Sequence, residues 1–209
     1  MILAILMTVA MAAPKGWEIV GNRDNIEVAR KTIAGSDLFA FRGETIVDQD
    51  PAILASVLLN DDIGPEWVDL MHISRKVKDL GEDRKLVHQG YDLKWPVQDR
   101  DYSLDQQAQY DRSSKTFNLL FKSVVDSDLP ENACCIRAIA ERTYWSISVT
   151  EDGLSKVTVE VITDPKGALP AWLINMIQKD WPYNTISALL RRARKGDVKP
   201  NPKMIGWAD

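Results

Sequence analysis

Hydrophobic and polar residues alternate with a period of two along most of the chain, the pattern of strands that bury one face. Tight-turn residues separate these stretches, for example Gly81-Glu82-Asp83, Arg112-Ser113-Ser114 and Glu151-Asp152-Gly153. Successive strands joined by such turns form an antiparallel meander. The alternation predicts strands at 17–20, 25–32, 38–47, 73–80, 84–94, 102–111, 116–125, 135–150 and 154–163.

Two short helices are predicted between the third and fourth of these strands. Asp50 can cap a helix over residues 51–59, and Pro51 fits its first position because a first-turn residue needs no backbone donor. A second short helix is expected over residues 66–71, after Gly64-Pro65. These helices could close one end of the sheet.

One long helix is predicted over residues 169–194, directly after the turn Asp164-Pro165-Lys166-Gly167. Pro182 should kink it. A sheet with one face to cover and one long helix predicts an α+β fold, a curved antiparallel sheet wrapped round the C-terminal helix. The residues spaced to share one side of this helix are Leu169, Trp172, Leu173, Met176, Ile177 and Asp180.

That apolar helix side has two interpretations. Methionine and tryptophan adapt to irregular apolar ligands, so the helix could roof a pocket. Alternatively it is ordinary core, which is the interpretation that helical periodicity alone favours. The opposite side of the helix carries Asn175, Gln178 and Lys179.

Composition narrows the range of partners. The chain has 209 residues, of which 45% are hydrophobic and 27% charged, enough for one domain with a substantial core. Its formal net charge is −4, which argues against a nucleic-acid-binding protein, because such proteins need a strongly basic face. We expect a monomer whose partner is a small molecule or a protein.

The N-terminal residues 1–13 form an uncharged apolar run. A membrane span needs about 20 apolar residues, so the run is too short to cross a bilayer. It fits a signal peptide with Ala10-Met11-Ala12 as its cleavage site. We therefore expect a periplasmic or secreted protein with its domain at 14–196 and a tail at 197–209. The alternative is a cytoplasmic protein that starts later, or a segment that packs on the domain.

Cys134 and Cys135 are the two cysteines of the chain and are adjacent. Neighbouring strand residues point to opposite faces, so a bridge between them would be strained. We expect two small strand residues, at least one of them buried.

Catalytic motifs are missing from the sequence. His72 and His88 are the only histidines, and no H-E-x-x-H or C-x-x-C pattern occurs, so we expect no metal site. Neither a G-x-S-x-G elbow nor a phosphate-binding glycine loop is present. We expect no cofactor.

Two polar residues stand out among the predicted strands. Gln106 interrupts an otherwise apolar and aromatic strand face, where it could hold a ligand's polar group or mark a partly exposed strand. Arg100 lies between Asp99 and Asp101 and could hold an anionic or zwitterionic head group through its guanidinium. More often such a triplet is a local ion-pair cluster that fixes a loop.

Strand alternation also assigns residues to a cavity-facing side, although a register error of one residue would reverse every assignment. The cavity-facing set comprises Leu119, Phe121, Trp145, Ile147, Val149, Val157, Val159 and Val161.

Three blocks of sequence resemble the StAR-related lipid-transfer (START) domain in order and spacing. The first is Lys94-Trp-Pro-Val-Gln-Asp-Arg-Asp-Tyr102. The second is Tyr144-Trp-Ser-Ile147, which follows Arg137, and the third, the most specific, runs from Lys156 through Asp164-Pro165-Lys166-Gly167 to Asn175. The resemblance covers nearly all of residues 17–195.

The resemblance implies a helix-grip fold, in which the sheet encloses a hydrophobic tunnel for one lipid. Members bind sterols, phospholipids, ceramides or similar molecules, and most carry them between membranes without bond chemistry. Residues 169–194 and 91–101 would form the gate, with transient contact to a membrane surface. The ligand contacts we expect are Arg100, Gln106, Leu119, Phe121, Trp145, Ile147, Val159, Trp172, Leu173, Met176 and Ile177.

Two other functions stay open. The wider helix-grip superfamily includes cyclases and aromatases, and such an enzyme would need a buried acid or base in the cavity. A lipid-sensing interaction module is the other alternative. The available acids and bases are His88, Asp92, Asp101, Tyr102 and Tyr110.

Overall fold

The computed structural model describes residues 14–93, 97–131 and 133–208. The predicted leader 1–13 and Lys94-Trp95-Pro96 lie outside the described residues. The strands are β1 (Glu18–Arg23), β2 (Ile26–Thr32), β3 (Phe39–Val47), β4 (Met71–Gly81), β5 (Arg84–Tyr91), β6 (Arg100–Asp111), β7 (Thr116–Ser123), β8 (Ile136–Arg137), β9 (Ile139–Val149) and β10 (Ser155–Asp164). The helices are α1 (Pro51–Leu59) and α2 (Ala171–Ala193), with 3₁₀ turns at Asp61–Glu66 and Pro202–Met204.

The predicted α+β architecture, a curved antiparallel sheet with a long C-terminal helix, is confirmed. Asp50 caps α1 as expected, since its side chain accepts a hydrogen bond from Ala52 N at 2.7 Å. The second short helix was predicted wrongly at 66–71. A 3₁₀ turn covers Asp61–Glu66 instead, and β4 already begins at Met71, which leaves no room for a helix over 66–71.

The ten-stranded sheet has the order β1-β2-β3-β10-β9-β7-β6-β5-β4, with β8 parallel to β6. The β3–β10 pairing joins a strand from the N-terminal part of the chain to a strand from its C-terminal part, near the middle of the sheet. Helix α2 packs on β2, β3, β10 and α1, while α1 packs on β9. The long helix therefore lies across the concave face of the sheet.

Gly43 allows α2 to approach the sheet closely. A Cβ atom added at Gly43 would come within 2.8 Å of Pro182 Cβ and 2.9 Å of Ile186 Cδ1. Pro182 is buried there, and α2 continues through it to Ala193. The kink at Pro182 stays a prediction.

The cysteine prediction was wrong. Cys134 and Cys135 are joined by a disulfide and lie in a turn before β8, where Cys134 is exposed and Cys135 is half-buried. The strand predicted from 135 is divided into β8 and β9. In a turn, neighbouring side chains need not point to opposite faces, so the argument against a bridge does not hold here.

The C-terminal residues predicted as a tail pack on the domain. Met204 and Trp207 are buried in the main core. Asn201 N donates to Ala52 O at 3.0 Å, which ties the segment to α1. No helix in the described part of the chain is both long and apolar enough to cross a membrane.

Candidate functional site

The cross-strand register shows which side chains face the helix. Directly opposed strand residues share one face of the sheet. Gly43 lies under α2, and Val159 is opposite Gly43; Trp145 is opposite Val159, and Leu119 is opposite Trp145. Ala108 on β6 is opposite Leu119, so the same face continues across the sheet. All of these side chains point into the space between the sheet and α2.

One half of this interior is tightly packed. Leu119, Ile147, Val157 and Val159 are fully buried, and Trp145 is almost so. They form one core with the apolar residues of α1 and with Ile186 and Leu189 of α2. The structure thus places the predicted cavity residues Leu119, Trp145, Ile147 and Val159 on the interior face, within packed core. Their role as ligand contacts stays a prediction.

The other half of the interior is more accessible. Tyr91, Tyr102, Gln89 and Thr143 are half-buried. The register places Thr143 beside Phe121, and Gln89 beside Tyr102. Since these positions continue the interior face of their strands, we call this set, with Phe121, the open half of the interior.

Two tyrosines line the open half. Their rings meet edge to face, with centroids 5.6 Å apart. Burial raises the pKa of both phenols, so Tyr91 and Tyr102 stay neutral hydrogen-bond donors. The Tyr91 hydroxyl donates to Gln89 Oε1 at 3.2 Å. The Tyr102 hydroxyl has no hydrogen-bond partner among the described residues.

Gln106 lies between the two halves and is only 2% exposed. Neither its amide oxygen nor its amide nitrogen has a hydrogen-bond partner in the described part of the chain. Phe121 and Lys85 are its cross-strand neighbours. Lys85 is already engaged, because its Nζ donates to Leu59 O at 3.0 Å and pairs with Asp61.

Arg100 holds the turn that leads into α2. Its guanidinium is buried and donates to Pro165 O and Lys166 O, each at 3.0 Å, and to Gln98 O. Burial lowers the pKa of Arg100. Gly167, whose φ of +78° suits glycine, packs beside this guanidinium. The predicted head-group contact from Arg100 stays a prediction, while its observed role is to fix this turn.

The orientation predicted for the N-terminal half of α2 was wrong. Trp172, Met176 and Ile177 are 68%, 58% and 59% exposed, and they point away from the sheet. Leu173 is half-buried. Their role as ligand contacts stays a prediction, but the structure does not bring these exposed side chains to the interior.

Polar residues of α2 face the sheet instead. The Asn175 side chain accepts from Phe39 N at 2.9 Å and donates to Asp37 O at 2.8 Å. Gln178 Nε2 donates to Thr163 O at 2.9 Å. Backbone groups near the ends of β3 and β10 need hydrogen-bond partners, and these amides supply them.

The candidate acids and bases are dispersed. Asp101 lies on the outer face, where it accepts hydrogen bonds from Arg137 Nε at 3.0 Å and Nη2 at 2.8 Å. His88 Nε2 lies 3.2 Å from Asp101 Oδ2 on the same face. Asp92 is exposed, and Tyr110 accepts a hydrogen bond from Asn201 at 3.1 Å. Of the five candidates, Tyr102 is the one in the open half.

Burial raises the pKa of Asp101, but the hydrogen bonds from Arg137 and the contact with His88 outweigh it, so the net shift is downward. Burial lowers the pKa of His88, and the contact with Asp101 offsets this decrease only partly. The described residues contain no cluster of His, Cys, Asp or Glu that could hold a metal ion.

A surface groove of about 540 Å³ borders the open half. It runs between residues 65–71 and the C-terminal half of α2. Met71 lines it and is the cross-strand partner of Tyr91, which places the groove beside the open half. Sequence reasoning missed Tyr91 and Gln89, although the alternation on β5 puts both on the face shared with Tyr102.

A curved antiparallel sheet closed over a long C-terminal helix is the arrangement of the helix-grip class of fold. The START domain family model matches residues 2–194, and the chain belongs to this family.

Similar proteins come from bacteria and mammals. The mouse phosphatidylcholine transfer protein is 22% identical over 181 residues, covering 84% of this chain and 82% of its own length. The solved STAR-related lipid transfer protein of Xanthomonas axonopodis has a TM-score of 0.76 at 23% identity, covering 86% of this chain and 99% of that one. Human STARD10 has a TM-score of 0.80 at 18% identity, covering 88% and 75%.

Proposed function

We propose that this protein binds one lipid in the open half of its interior and carries it between membranes without bond chemistry. The observation that carries the proposal is the buried amide oxygen of Gln106 on the interior face, which has no hydrogen-bond partner among the described residues. The nearby Tyr102 hydroxyl also has no partner in this part of the chain. Buried polar groups are normally paired. A bound amphiphile would pair them, and covering its apolar part is favourable by about 25 cal/mol per Å².

The dispersal of the acid and base candidates supports a non-catalytic role. A general acid or base must reach the reacting atom, within about 3 Å or through one water. His88 and Asp101 lie on the outer face, and Asp92 is exposed. The interior candidates are Tyr102, which keeps its proton because burial raises its pKa, and Tyr110, which packs against the core and accepts a hydrogen bond from Asn201.

We propose that the protein meets a membrane through one apolar end. Trp172, Met176 and Ile177 are exposed at the start of α2. Val125 follows β7 and Ile139 opens β9, and both are exposed at the end of the sheet where β10 leads into α2. Exposed apolar groups collected on one surface mark interaction sites, and a bilayer interface accommodates tryptophan well. We call these five residues the apolar end.

The direct test of lipid binding is native mass spectrometry of the purified protein, followed by extraction of the co-purified lipid. We expect a monomer that carries one lipid. Delipidated protein should accelerate movement of a fluorescent lipid from donor to acceptor vesicles. Protein that neither carries lipid nor accelerates this movement would contradict the proposal.

The apolar end is tested by changing Trp172→Ser and Ile177→Ser together. We expect about tenfold slower transfer between vesicles, because the membrane-facing apolar area is lost. Stability should change by less than about 0.5 kcal/mol per site, since both residues are exposed. Ile46→Ser is the matched control, because Ile46 is also exposed but lies on β3 beside Lys156. An equal effect of Ile46→Ser on transfer would show that the apolar end has no special role.

We also propose that residues 1–13 direct export to the periplasm or medium. The support is the apolar run with a small-residue cleavage site. The mass of the mature N-terminus in fractionated cells tests this. Protein that retains Met1 in the cytoplasm would contradict it.

A further inference from the structure

We infer that the ligand's polar group is uncharged and hydrogen-bonding, a hydroxyl or an amide, and that Gln106 binds it. This inference rests on the proposed function and adds the chemical class of the lipid. It predicts a neutral lipid, such as a diacylglycerol, in preference to a phospholipid.

The amide of Gln106 is the strongest indication. The residue is 98% buried, and neither amide atom has a hydrogen-bond partner among the described residues. Leaving a buried amide unpaired costs free energy. The Gln106 amide oxygen needs a donor and its nitrogen needs an acceptor. One hydroxyl or amide on a ligand offers both at once.

The surroundings of Gln106 are apolar apart from Lys85, its neighbour on β5, whose charge is paired with Asp61. Leu104 and Ala108 flank it on the same strand face, and Phe121 lies opposite on β7. All three are buried. Tyr102 lies further along this face toward the open half and offers a neutral hydroxyl. An uncharged polar group can enter such surroundings at lower cost than an ion.

Three cations on the interior face of the sheet already have partners in the fold. Lys85 is held by Asp61 and by Leu59 O. Each of the three guanidinium nitrogens of Arg100 donates a hydrogen bond to a backbone carbonyl: Pro165 O and Lys166 O in the turn before α2, and Gln98 O. Arg30, at the rim, is paired with Glu18 at 2.8 Å. A buried phosphate needs a cation partner, and Lys85 and Arg30 already pair with carboxylates, while three backbone carbonyls hold Arg100 at the turn before α2.

The experiment compares three lipids with identical acyl chains, so that only the head group differs. The probes are dioleoylglycerol, dioleoylphosphatidylcholine and dioleoylphosphatidic acid, titrated into delipidated full-length protein with tryptophan fluorescence as the readout. We expect dioleoylglycerol to bind at least about tenfold tighter than either phospholipid.

Gln106→Met keeps the volume of the side chain and removes the amide. We expect it to weaken dioleoylglycerol binding about tenfold and to leave the two phospholipids unchanged. The melting temperature of the lipid-free variant should rise, because an unpaired buried amide is gone. Gln107→Met is the matched control, since Gln107 is the next residue on the outer face and is exposed. Gln106→Leu serves as a second variant if Gln106→Met does not fold.

The outcomes separate the inference from the proposed function. Equal or tighter binding of either phospholipid would overturn the inference and leave lipid binding intact. A loss of affinity for all three lipids in Gln106→Met would also overturn it, because the residue would then only shape the cavity. If none of the three lipids binds the wild-type protein and none co-purifies, the proposed function fails together with the inference.

Discussion

The two halves of the interior are built from the same strands but differ in what covers them. On β9, Ile147 is fully buried beneath the helices, whereas Thr143, on the same face, is half-buried. On β6, Ala108 is buried in the core, whereas Tyr102 is half-buried at its edge and its hydroxyl has no partner among the described residues. The packed half lies under α1 and the C-terminal half of α2. A single sheet can therefore supply stability at one end and leave the other end for the ligand site that we propose.

The largest expected effect comes from breaking the packed half. Ile147→Ala should lower the free energy of unfolding by about 2–5 kcal/mol, because it leaves a cavity in a fully buried cluster. Urea denaturation measures the change. Thr143→Ala, on the same strand in the open half, should cost clearly less. Equal costs at the two positions would show that the halves are packed alike.

The close contact between Gly43 and α2 should give the next largest effect. Gly43→Ala places a Cβ within 2.9 Å of both Pro182 and Ile186, so helix and sheet must separate. We expect a loss of about 1–3 kcal/mol in unfolding free energy. Gly21→Ala on β1 is the control, since a Cβ there meets nothing within 4 Å. A Gly43→Ala protein as stable as the Gly21→Ala protein would contradict the close approach.

Loosening the turn before α2 should act mainly on ligand exchange. Arg100→Met removes the donors to Pro165 O and Lys166 O, and we expect about 1–2 kcal/mol of destabilisation. Lipid release, followed by loss of fluorescence on mixing with acceptor vesicles, should become several-fold faster. Arg142→Met, at a 45% exposed arginine, is the control. An unchanged release rate would mean that this turn does not limit exchange.

The smallest expected effect is a pH dependence from the outer face. Because burial lowers the pKa of His88, the folded protein favours neutral histidine. Its contribution to stability is complete above the unfolded-state pKa of about 6.5 and is lost as pH falls through the lower folded-state value. Asp101, whose pKa is also lowered, contributes in the same direction, above about pH 3.9.

Unfolding free energies at pH 7 and pH 5 test this contribution. The decrease between them should be smaller in His88→Gln than in the wild type, by at most about 1 kcal/mol. His72→Gln controls for the second histidine, which lies beside Asp92 at the surface. Equal decreases in unfolding free energy between pH 7 and pH 5 in the wild type and in His88→Gln would contradict the lowered pKa of His88.

Much of the fold was predictable because it depends on local signals. Alternation and turn residues located most of the strands to within a few positions, and Asp50 with Pro51 fixed the start of α1. Neither signal depends on a distant partner. The split between β8 and β9 escaped prediction, because a two-residue strand has no period to detect.

The candidate site was predicted less well because exposure depends on partners far along the chain. Trp172 and Ile177 follow a buried-face pattern but face solvent, since periodicity cannot distinguish a core face from an exposed apolar surface. Asn175 and Gln178 face the sheet because backbone groups of β3 and β10 need partners. Whether Ile147 and Tyr102 line packed core or open space follows from how the helices cover the sheet.

The β3–β10 pairing sets an order for folding. Glu44 and Thr158, which are hydrogen-bonded across these strands, are 114 positions apart in the chain. During synthesis, one edge of β3 must stay unpaired until β10 has left the ribosome. Closing such a distant contact is slow, and an unpaired strand edge is open to aggregation. The step that completes the sheet is therefore also the one at which a chaperone would most improve the yield of native protein.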